Sequence, residues 1–509
     1  MLVDAGVGEG ISLRMSDAAD AIVVGSGPNG LAAAVTLAAA GLKVLVIEGA
    51  ATTGGGCRTE ELTLPGYRHD LCSTGHPLAV ASSFFRRFDL ASRGVRLIHP
   101  EVVFAHPLDG GRAALVTRSV AETAASLGRD RRAYRRLMRP LVHHAEQISE
   151  WVFSAERRPP ANPLALAGYG LLGLRPASVV ARRFRSPEAR GLFAGVSAHA
   201  MRPLNTAPTA GVGLLLTLLG HAVGWPVVEG GSSQLTDALV RALAAGGGTV
   251  QTGWWIRSLE ELPQAKAVLL DLTPHQLLAI AGDRFSGRYR RSLERFRYGS
   301  GVCKVDFALS GPVPWTNPGC RQAGTVHLGG TFEEVARSEA EVASGNHPVF
   351  PYVLAVQASI ADPTRAPAGG HTLWAYCHVP SGSDVDMTHQ IEAQIERFAP
   401  GFRDLILAKV HRTAKDQEAH DPNCVGGDIA SGVQNLRQTF FRPALRWDPY
   451  RTALPGTYLC SSSTTPGPGV HGRCGELAAL SALRHSFGIQ EKPDLRRLTP
   501  RLVSVAAAS

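Results

Sequence analysis

The sequence lacks several features that would place the chain outside the cytoplasm or at a metal centre. It has no run of about 18 apolar residues and no basic, apolar leader, which argues against a membrane-spanning helix and against export. The eight cysteines occur without a CxxC pair or metal-ligand spacing. We therefore expect no disulfide framework, no zinc or iron–sulfur site and no other metal, in a reduced cytoplasmic protein.

Lysine is scarce, since only six of the 52 basic residues are lysine, yet the net charge is +9. A basic surface attracts anionic lipid, acidic substrates or nucleic acid. No lysine-rich run, zinc finger or aromatic RNA-binding motif accompanies the charge, so no nucleic-acid partner is expected.

Two uncharged stretches, residues 159–174 and 203–228, are interrupted by glycine, proline and threonine, and arginines flank the first. Both are too broken to span a bilayer. We expect them to line an apolar substrate cavity, and peripheral contact with a membrane surface is the alternative. Residues 1–19 have little pattern and are predicted to be a disordered extension, with Met15 as an alternative start of the protein.

Residues 21–48 have the pattern of a complete dinucleotide-binding βαβ unit. An apolar strand is predicted over 21–24, a glycine turn over 25–30, an alanine-rich helix over 31–40 and a second strand over 43–47. The order of these parts matters more than the glycines alone, because glycine turns are common.

The glycines of this turn and the acid after the second strand each have a physical role in binding a dinucleotide. Gly25 permits the tight turn, Gly27 lets the backbone approach a pyrophosphate, and Gly30 lets the helix pack closely on the strand. Glu48 follows the second strand, where an acid binds ribose hydroxyls and disfavours the 2′-phosphate of NADP. The ligand is therefore FAD or NAD. The predicted cofactor-binding residues of this unit are Gly25, Gly27, Pro28, Asn29, Gly30 and Glu48.

Two further glycine-containing segments favour FAD. Residues 53–59, TGGGCRT, and residues 456–475, which contain SSSTTPGPGVHGRCG, resemble the second and the C-terminal FAD motifs of the amine oxidase and carotenoid desaturase superfamily. The best match is to its phytoene dehydrogenase-like branch, and the resemblance covers about residues 21–487. It implies that FAD is also bound by Gly55, Gly56, Arg58, Ile256, Ser461, Ser462, Gly469 and Val470.

The same resemblance indicates which residues face the reacting end of the flavin. Lys304, in the apolar strand 302–309, occupies the place of the amine oxidase lysine that reaches flavin N5 through a water molecule. The alternative is a structural ion pair with Asp306 or another acid, because a buried lysine needs a partner. His471 is the second predicted catalytic residue, and Asp428 and Gln438 are predicted pocket residues.

The predicted fold is α/β, with a Rossmann-type FAD-binding domain (GR2-like) interleaved with an α+β substrate domain. The predicted FAD-binding segments are 20–95, 223–291 and 451–490, the predicted substrate-domain segments are 96–222 and 292–450, and residues 491–509 form a tail. No second GxGxxG turn with a following acid is present, so reoxidation by oxygen, a quinone or a partner protein is favoured over reduction by NAD(P)H.

The resemblance implies an FAD-dependent dehydrogenase or desaturase of an apolar small molecule, such as a polyene, an isoprenoid or an intermediate of a tailoring pathway. The cofactor supplies the reactive centre in such enzymes, and the protein positions the substrate. Four alternatives remain open at this stage: a flavin-dependent isomerase, a saturase, an amine oxidase and a flavin-containing interaction protein without turnover.

Overall fold

The computed structural model describes residues 19–154 and 162–498. The predictions for residues 1–18, including Met15, for residues 159–161 and for 499–509 lie outside this range. The strands of the described residues are β1 (Ala21–Val24), β2 (Val44–Ile47), β3 (Thr59–Glu60), β4 (His69–Asp70), β5 (Leu97–Ile98), β6 (Val102–Pro107), β7 (Ala113–Val116), β8 (Val227–Val228), β9 (Thr249–Gln251), β10 (Ala267–Leu270), β11 (Gly301–Leu309), β12 (Ala323–Leu328), β13 (Val353–Val356), β14 (His371–Val379), β15 (Ile406–Arg412) and β16 (Thr457–Leu459).

The helices vary from four to fourteen residues. They are α1 (Pro28–Ala39), α2 (Pro77–Ala81), α3 (Ser83–Phe88), α4 (Val120–Ser126), α5 (Arg131–His143), α6 (Ala145–Val152), α7 (Pro163–Gly173), α8 (Ala177–Ala181), α9 (Pro187–Ser197), α10 (Thr209–Ala222), α11 (Ser233–Ala245), α12 (Pro274–Ala281), α13 (Gly287–Glu294), α14 (Phe332–Ala343), α15 (Ala358–Ala361), α16 (Thr388–Phe398), α17 (Ala414–His420), α18 (Leu436–Phe440) and α19 (Arg473–Ser486).

The first of the two large sheets is fully parallel, with the strand order β16-β10-β1-β2-β9. Helices α1, α11 and α19 pack on it and bury their alanine and leucine side chains. The strand order reverses beside β1, since β2 lies on one side of it and β10 on the other. Ligands of open parallel sheets bind at such a switch point, beyond the carboxyl ends of the strands.

The predicted βαβ unit is present, with small differences in its bounds. Gly25 has φ +98°, a conformation that favours glycine, and a Cβ at Gly30 would lie 2.1 Å from the carbonyl oxygen of Gly25. The helix begins at Pro28 rather than residue 31, because proline fits the first helical position, where the missing N–H has no partner to lose.

The second sheet is mixed and has the order β15-β11-β14-β13-β12-β6-β7. Its pairs are antiparallel except for β12 with β6. Side chains alternate along β14, so that Leu373, Ala375 and Cys377 pack towards α16, while Trp374 and Tyr376 face the helical layer that contains α9 and α10. The predicted α/β fold, with a Rossmann-type part and an α+β part, is confirmed.

The chain alternates between the two sheets. The parallel sheet takes its strands from residues 21–47, 249–270 and 457–459, and the mixed sheet takes its strands from 102–116 and 301–412. These strands fall inside the segments predicted for the two domains, although the segment boundaries themselves stay a prediction.

Two local expectations differ from the structure. The sequence after the glycines 246–248 predicts a strand over 249–258, but the strand ends at Gln251, because Gly253 turns the chain with φ +73°. Part of the predicted tail is packed: Leu495 and Leu498 are buried with α1 and α11, and the Arg93 guanidinium donates hydrogen bonds to both of their carbonyl oxygens.

Candidate active site

A cavity of about 1380 Å³ lies at the carboxyl ends of β1, β2 and β10 and continues between the mixed sheet and helices α7 and α10. Ligand pockets for one small molecule usually measure about 300–1,000 Å³. This cavity therefore has room for a dinucleotide and for a second, apolar molecule beside it.

The carboxylate of Glu48 lies at the glycine turn, as predicted for a ribose-binding acid. It accepts hydrogen bonds from the Ser26 amide (2.8 Å) and hydroxyl (2.6 Å) and from the Ala50 amide (2.9 Å). Glu48 is half-buried and lines the cavity. Its position after β2 leaves it beside the glycine turn and open to a ligand.

The turn before α1 fits a pyrophosphate. Gly25, Gly27, Pro28 and Asn29 line the cavity, whereas Gly30 is buried against β1. The side-chain oxygen of Asn29 is buried and has no hydrogen-bond partner in the described residues. The N-terminus of α1 adds backbone N–H groups and its positive dipole end. These N–H groups are the donors that a phosphate needs, whereas the Asn29 side-chain oxygen is an acceptor and needs a donor.

The second glycine segment approaches the same turn. A Cβ at Gly55 would lie 3.0 Å from Cα of Gly27, so the two glycine turns touch. Arg58 follows, and its Nε donates to the carbonyl oxygen of Gly55 at 3.1 Å. Gly55, Gly56 and Arg58 all line the cavity, which gives it a cation next to the turn that would hold the phosphates.

The C-terminal segment closes the cavity from the other side of β10. The Ser461 hydroxyl donates a hydrogen bond to the carbonyl oxygen of Leu272 at 2.7 Å. The side-chain nitrogen of Asn29 donates to the Ser462 hydroxyl at 3.2 Å. Gly469 has φ +121°, and the chain then passes through Val470 into α19. The four residues predicted here, Ser461, Ser462, Gly469 and Val470, all line the cavity.

Ile256 also lines the cavity, but from a loop rather than from the predicted strand. The loop is held against β2 because the Trp254 amide donates to the carbonyl oxygen of Glu48 at 3.0 Å. Trp255 is 54% exposed, and its ring lies over Gly49, where a Cβ would be only 2.5 Å away. The two tryptophans therefore form a wall of the cavity at its nucleotide end.

His471 lines the cavity, but both of its ring nitrogens are engaged by the backbone. Nδ1 accepts the Arg473 amide proton at 3.0 Å, and Nε2 donates to the carbonyl oxygen of Gly467 at 3.1 Å. Burial, together with a smaller contribution from the charge of Arg473, lowers the pKa of His471 to about 4. This geometry favours a role in holding the turn before α19 over a role in proton transfer.

Lys304 does not line the cavity. It is 3% exposed, and its ammonium forms an ion pair with Asp306 (2.5 Å) and donates to the carbonyl oxygen of Asp70 (3.2 Å). The ammonium also lies 5.2 Å from the centre of the Trp374 ring, which does line the cavity. The structure thus contains the ion pair with Asp306 that was the alternative to a catalytic role. A catalytic role for Lys304 stays a prediction.

The two remaining predicted pocket residues do not reach the cavity. The Asp428 carboxylate accepts hydrogen bonds from the amides of Gly299, Ala430 and Gly432. Gln438 exchanges two hydrogen bonds with the backbone of Arg297. Both side chains bond to backbone groups instead, so they do not line the pocket as predicted.

Asp271 is the most notable cavity residue that sequence reasoning missed. It follows β10, and its carboxylate accepts the Gly30 amide proton at 2.8 Å. A Cβ at Gly27 would lie 2.8 Å from the same oxygen. Burial raises the pKa of Asp271 to about 7, and the carboxylates of Asp421 and Glu48 add to the rise. An acid directly after a strand next to β1 was the available signal, because that place belongs to the switch point.

The far part of the cavity is apolar and aromatic. The mixed sheet contributes Trp374 and Tyr376, whose rings stack with centroids 5.7 Å apart. Its other lining residues are Thr325, Leu354 and Val356, and the helices opposite contribute Tyr169, Gly173, Leu174, Gly211, Val212, Leu215 and Leu216. Both uncharged stretches of the sequence therefore supply cavity wall.

The outer side of α7 is different, because Leu164 and Leu171 are 85% and 68% exposed. Next to it, α5 exposes a row of arginines: Arg131, Arg132, Arg135, Arg136 and Arg139. Among the described residues, no helix is long and apolar enough to cross a membrane. Within the same ranges, no three His, Cys, Asp or Glu side chains are grouped to hold a metal ion.

Comparison with known proteins agrees with this nucleotide-binding geometry. Residues 23–88 match the NAD(P)-binding Rossmann-like domain family. The chain is 26% identical to mouse pyridine nucleotide-disulfide oxidoreductase domain-containing protein 2, over 93% of this chain and 95% of that protein. It is 24% identical to the neurosporene-forming phytoene desaturase of Rhodobacter capsulatus, over 88% and 91%.

Among solved structures, a putrescine oxidase variant is similar, with a TM-score of 0.60, 18% identity and coverage of 91% of this chain and 98% of that one. These matches support an oxidoreductase that uses a flavin or nucleotide cofactor. They support the superfamily expected from the sequence rather than one branch of it.

Proposed function

We propose that the protein is an FAD-dependent dehydrogenase or desaturase of an apolar small molecule, such as a polyene, an isoprenoid or a tailoring-pathway intermediate. The proposal depends on one observation. A single cavity is lined at one end by the glycine turns that fit a pyrophosphate and at the other end by an apolar wall. FAD, when bound, supplies the two-electron chemistry.

FAD is favoured over NAD because three separate segments meet at the nucleotide end. The βαβ turn, the second glycine segment with Arg58 and the loop from Ser461 to Val470 all line one continuous space. The βαβ turn would hold the pyrophosphate, and Glu48 would bind the ribose. The N-terminus of α19 would face the flavin ring. A helix N-terminus stabilises negative charge there.

The protein's own contribution to the reaction is to position the substrate and exclude water. Trp374, Tyr376, Leu215 and Leu216 form opposite walls that would hold an extended apolar molecule. Holding a C–H bond in reacting geometry lowers the barrier through the entropy that binding has already removed. An amine oxidase is less favoured, because the carboxylates of the lining, Glu48, Asp271 and Asp421, are near the glycine turns, so the far part of the cavity offers a substrate ammonium aromatic rings but no carboxylate.

We propose that α7 takes part in delivering such a substrate to the cavity. Its inner side lines the cavity while Leu164 and Leu171 face outwards beside the arginines of α5. We include peripheral contact with an anionic membrane surface in the proposal, since exposed leucines and basic residues together favour it. Oxygen, a quinone or a partner protein is the proposed electron acceptor.

The test is the colour and the redox response of the purified protein. We expect yellow protein that releases FAD on denaturation and is bleached by candidate apolar substrates in the absence of oxygen. Colourless protein that does not take up FAD would refute the proposal. Product formation without net bleaching would instead identify an isomerase, and FAD binding without any turnover would indicate an interaction protein.

A further inference from the structure

A histidine lies in the apolar part of the cavity, where Thr325 and Tyr376 also contribute hydroxyl groups. His199 follows α9 and lines the cavity together with Met201, Leu216 and Trp225. Its Nε2 lies 2.9 Å from Nε2 of His327, a fully buried residue of β12. Within residues 19–154 and 162–498, Nδ1 of His199 makes no hydrogen bond and is not one of the fully buried unpartnered atoms. The Nδ1 atom therefore reaches the cavity.

The two facing histidines are neutral. Burial lowers the pKa of His199 to about 3 and that of His327 well below its usual value. A neutral imidazole has one N–H donor and one acceptor nitrogen, so in this pair one Nε2 donates a hydrogen bond and the other accepts it.

The surroundings of His327 decide which one donates. Its Nδ1 is buried without a partner, and the ring is surrounded by the aromatic rings of Phe104, Trp225 and Tyr352. Buried N–H groups without an acceptor are rarer than buried acceptors without a donor. His327 therefore carries its proton on Nε2 and donates to His199, whose own proton must then be on Nδ1.

The sequence makes room for this pair. Gly195 of α9 has no side chain where a Cβ would lie 2.7 Å from Cβ of His327 and 2.6 Å from the ring of His106. The carbonyl oxygen of Gly195 accepts the Tyr352 hydroxyl at 2.9 Å, which holds α9 against the sheet. The helix thus approaches the sheet closely enough to keep His327 away from water.

We propose that His199 Nδ1–H binds a neutral oxygen acceptor, such as an aldehyde, ketone or alcohol oxygen, on an otherwise apolar substrate. The inference rests on the proposed function and narrows its substrate class. A hydrogen-bond donor placed in an apolar wall orients a ligand. The oxygen would then occupy the end of the molecule that lies farther from the glycine turns, and so decide which C–H bond faces the cofactor.

A carboxylate fits this place less well. The charged side chains of the cavity lining are Glu48, Arg58, Arg257, Asp271, Asp421 and Arg446, and they lie on the parallel-sheet side. A buried carboxylate beside a neutral ring would have no cation to pair with, and an unpaired buried charge is costly.

The experiment measures the binding of three matched retinoids to the FAD-loaded protein by quenching of tryptophan fluorescence. The probes are retinol, its deoxygenated hydrocarbon axerophtene, and retinoate. We expect the wild type to bind retinol about 3- to 10-fold more tightly than axerophtene, as one neutral hydrogen bond allows, and to bind retinoate least well.

Four variants test whether the donor is the Nδ1–H group of His199 and not another part of the cavity. His199→Phe and His199→Gln should abolish the preference for retinol, because neither keeps a donor at the Nδ1 position. His199→Asn should retain it, because the amide nitrogen of asparagine reaches about the same place. His221→Phe is the control, since His221 is a buried histidine of α10 that bonds to Tyr134 and does not line the cavity. The FAD content of each variant reports folding, and His199→Gln replaces His199→Phe if the latter does not fold.

Equal affinity of the wild type for retinol and axerophtene, or an unchanged preference in both His199→Phe and His199→Gln, would overturn the assignment of His199 and leave the proposed function intact. If neither neutral retinoid bound to the FAD-loaded wild type, the apolar substrate site itself would be refuted, and this inference with it.

Discussion

Replacing Asp271 with asparagine is expected to stabilise the protein at neutral and alkaline pH. The variant keeps an oxygen that can accept the Gly30 amide proton and removes a charge that has no cation beside it. The folded-state pKa of about 7 lies above the ordinary aspartate value of 3.8. Between these two values the folded protein holds a proton that the unfolded chain has released, so stability falls as the pH rises from about 4 to about 7.

The size of this effect follows from the pKa difference. A difference of about three units corresponds to about 4 kcal/mol of unfolding free energy, all of it lost above about pH 7 and none of it below about pH 4. The ionised carboxylate would also repel the phosphates of FAD. At roughly 5 Å and an effective dielectric constant of about 20, that repulsion is about 3 kcal/mol for each charge.

Denaturant unfolding of the apoprotein at about pH 5 and about pH 8 measures the first effect, and FAD titrations over the same range measure the second. In the wild type, FAD affinity should fall by about tenfold or more above pH 7, whereas Asp271→Asn should show a flat profile and greater stability at pH 8. Asp384→Asn is the control, because Asp384 is exposed. The reasoning fails if wild type and Asp271→Asn have the same pH dependence of both quantities.

Three further variants test the remaining parts of the site. Glu48→Ala should weaken FAD binding by about 1.5–3 kcal/mol, measured by flavin fluorescence, because a charge-assisted hydrogen bond to the ribose is lost; unchanged affinity would remove Glu48 from the ribose site. Lys304→Met should destabilise the protein by about 3–5 kcal/mol because Asp306 stays buried without the ammonium, with His69 at 3.6 Å beside it, and the added change Asp306→Leu should restore stability. If Lys304 also acts at the flavin, the restored double variant should still reduce or reoxidise FAD at least about tenfold more slowly; wild-type rates in both half-reactions would make the lysine purely structural. Replacing Leu164 and Leu171 together by serine should reduce flotation with vesicles of anionic lipid while FAD content stays normal, and equal flotation of wild type and variant would argue against membrane contact by α7.

The nucleotide end of the cavity could be predicted from the sequence because its determinants are local. Gly25, Gly30 and Glu48 lie within one short βαβ unit, and the order of strand, turn, helix and acid fixes where each one points. The segments around Arg58 and Ser461 were found because each has its own glycine or serine pattern, and the structure brings them to the same cavity.

The apolar end could not be predicted in the same way, because it is assembled from distant segments. His199 and His327 are 128 positions apart, and nothing near either one in the sequence indicates the other. Asp428 and Gln438 show the opposite error. They were expected in the pocket from a family-like stretch, but both side chains lie beside loop backbone groups and satisfy those groups first.

The strand order of the parallel sheet has a consequence for synthesis of the protein. The central strand β1 pairs with β10, which lies more than two hundred residues later, and β10 pairs in turn with β16 at residues 457–459. During translation, the first βαβ unit emerges early but lacks its two neighbouring strands, β9 and β10, until about half of the chain has been made, and the sheet lacks β16 until residue 459. Such non-local pairing is slow and leaves apolar strand edges exposed on the ribosome. A chain truncated before β16 would leave β10 as the edge strand, without a partner on one side. Retention of the cofactor would then distinguish a completely synthesised chain from a truncated one.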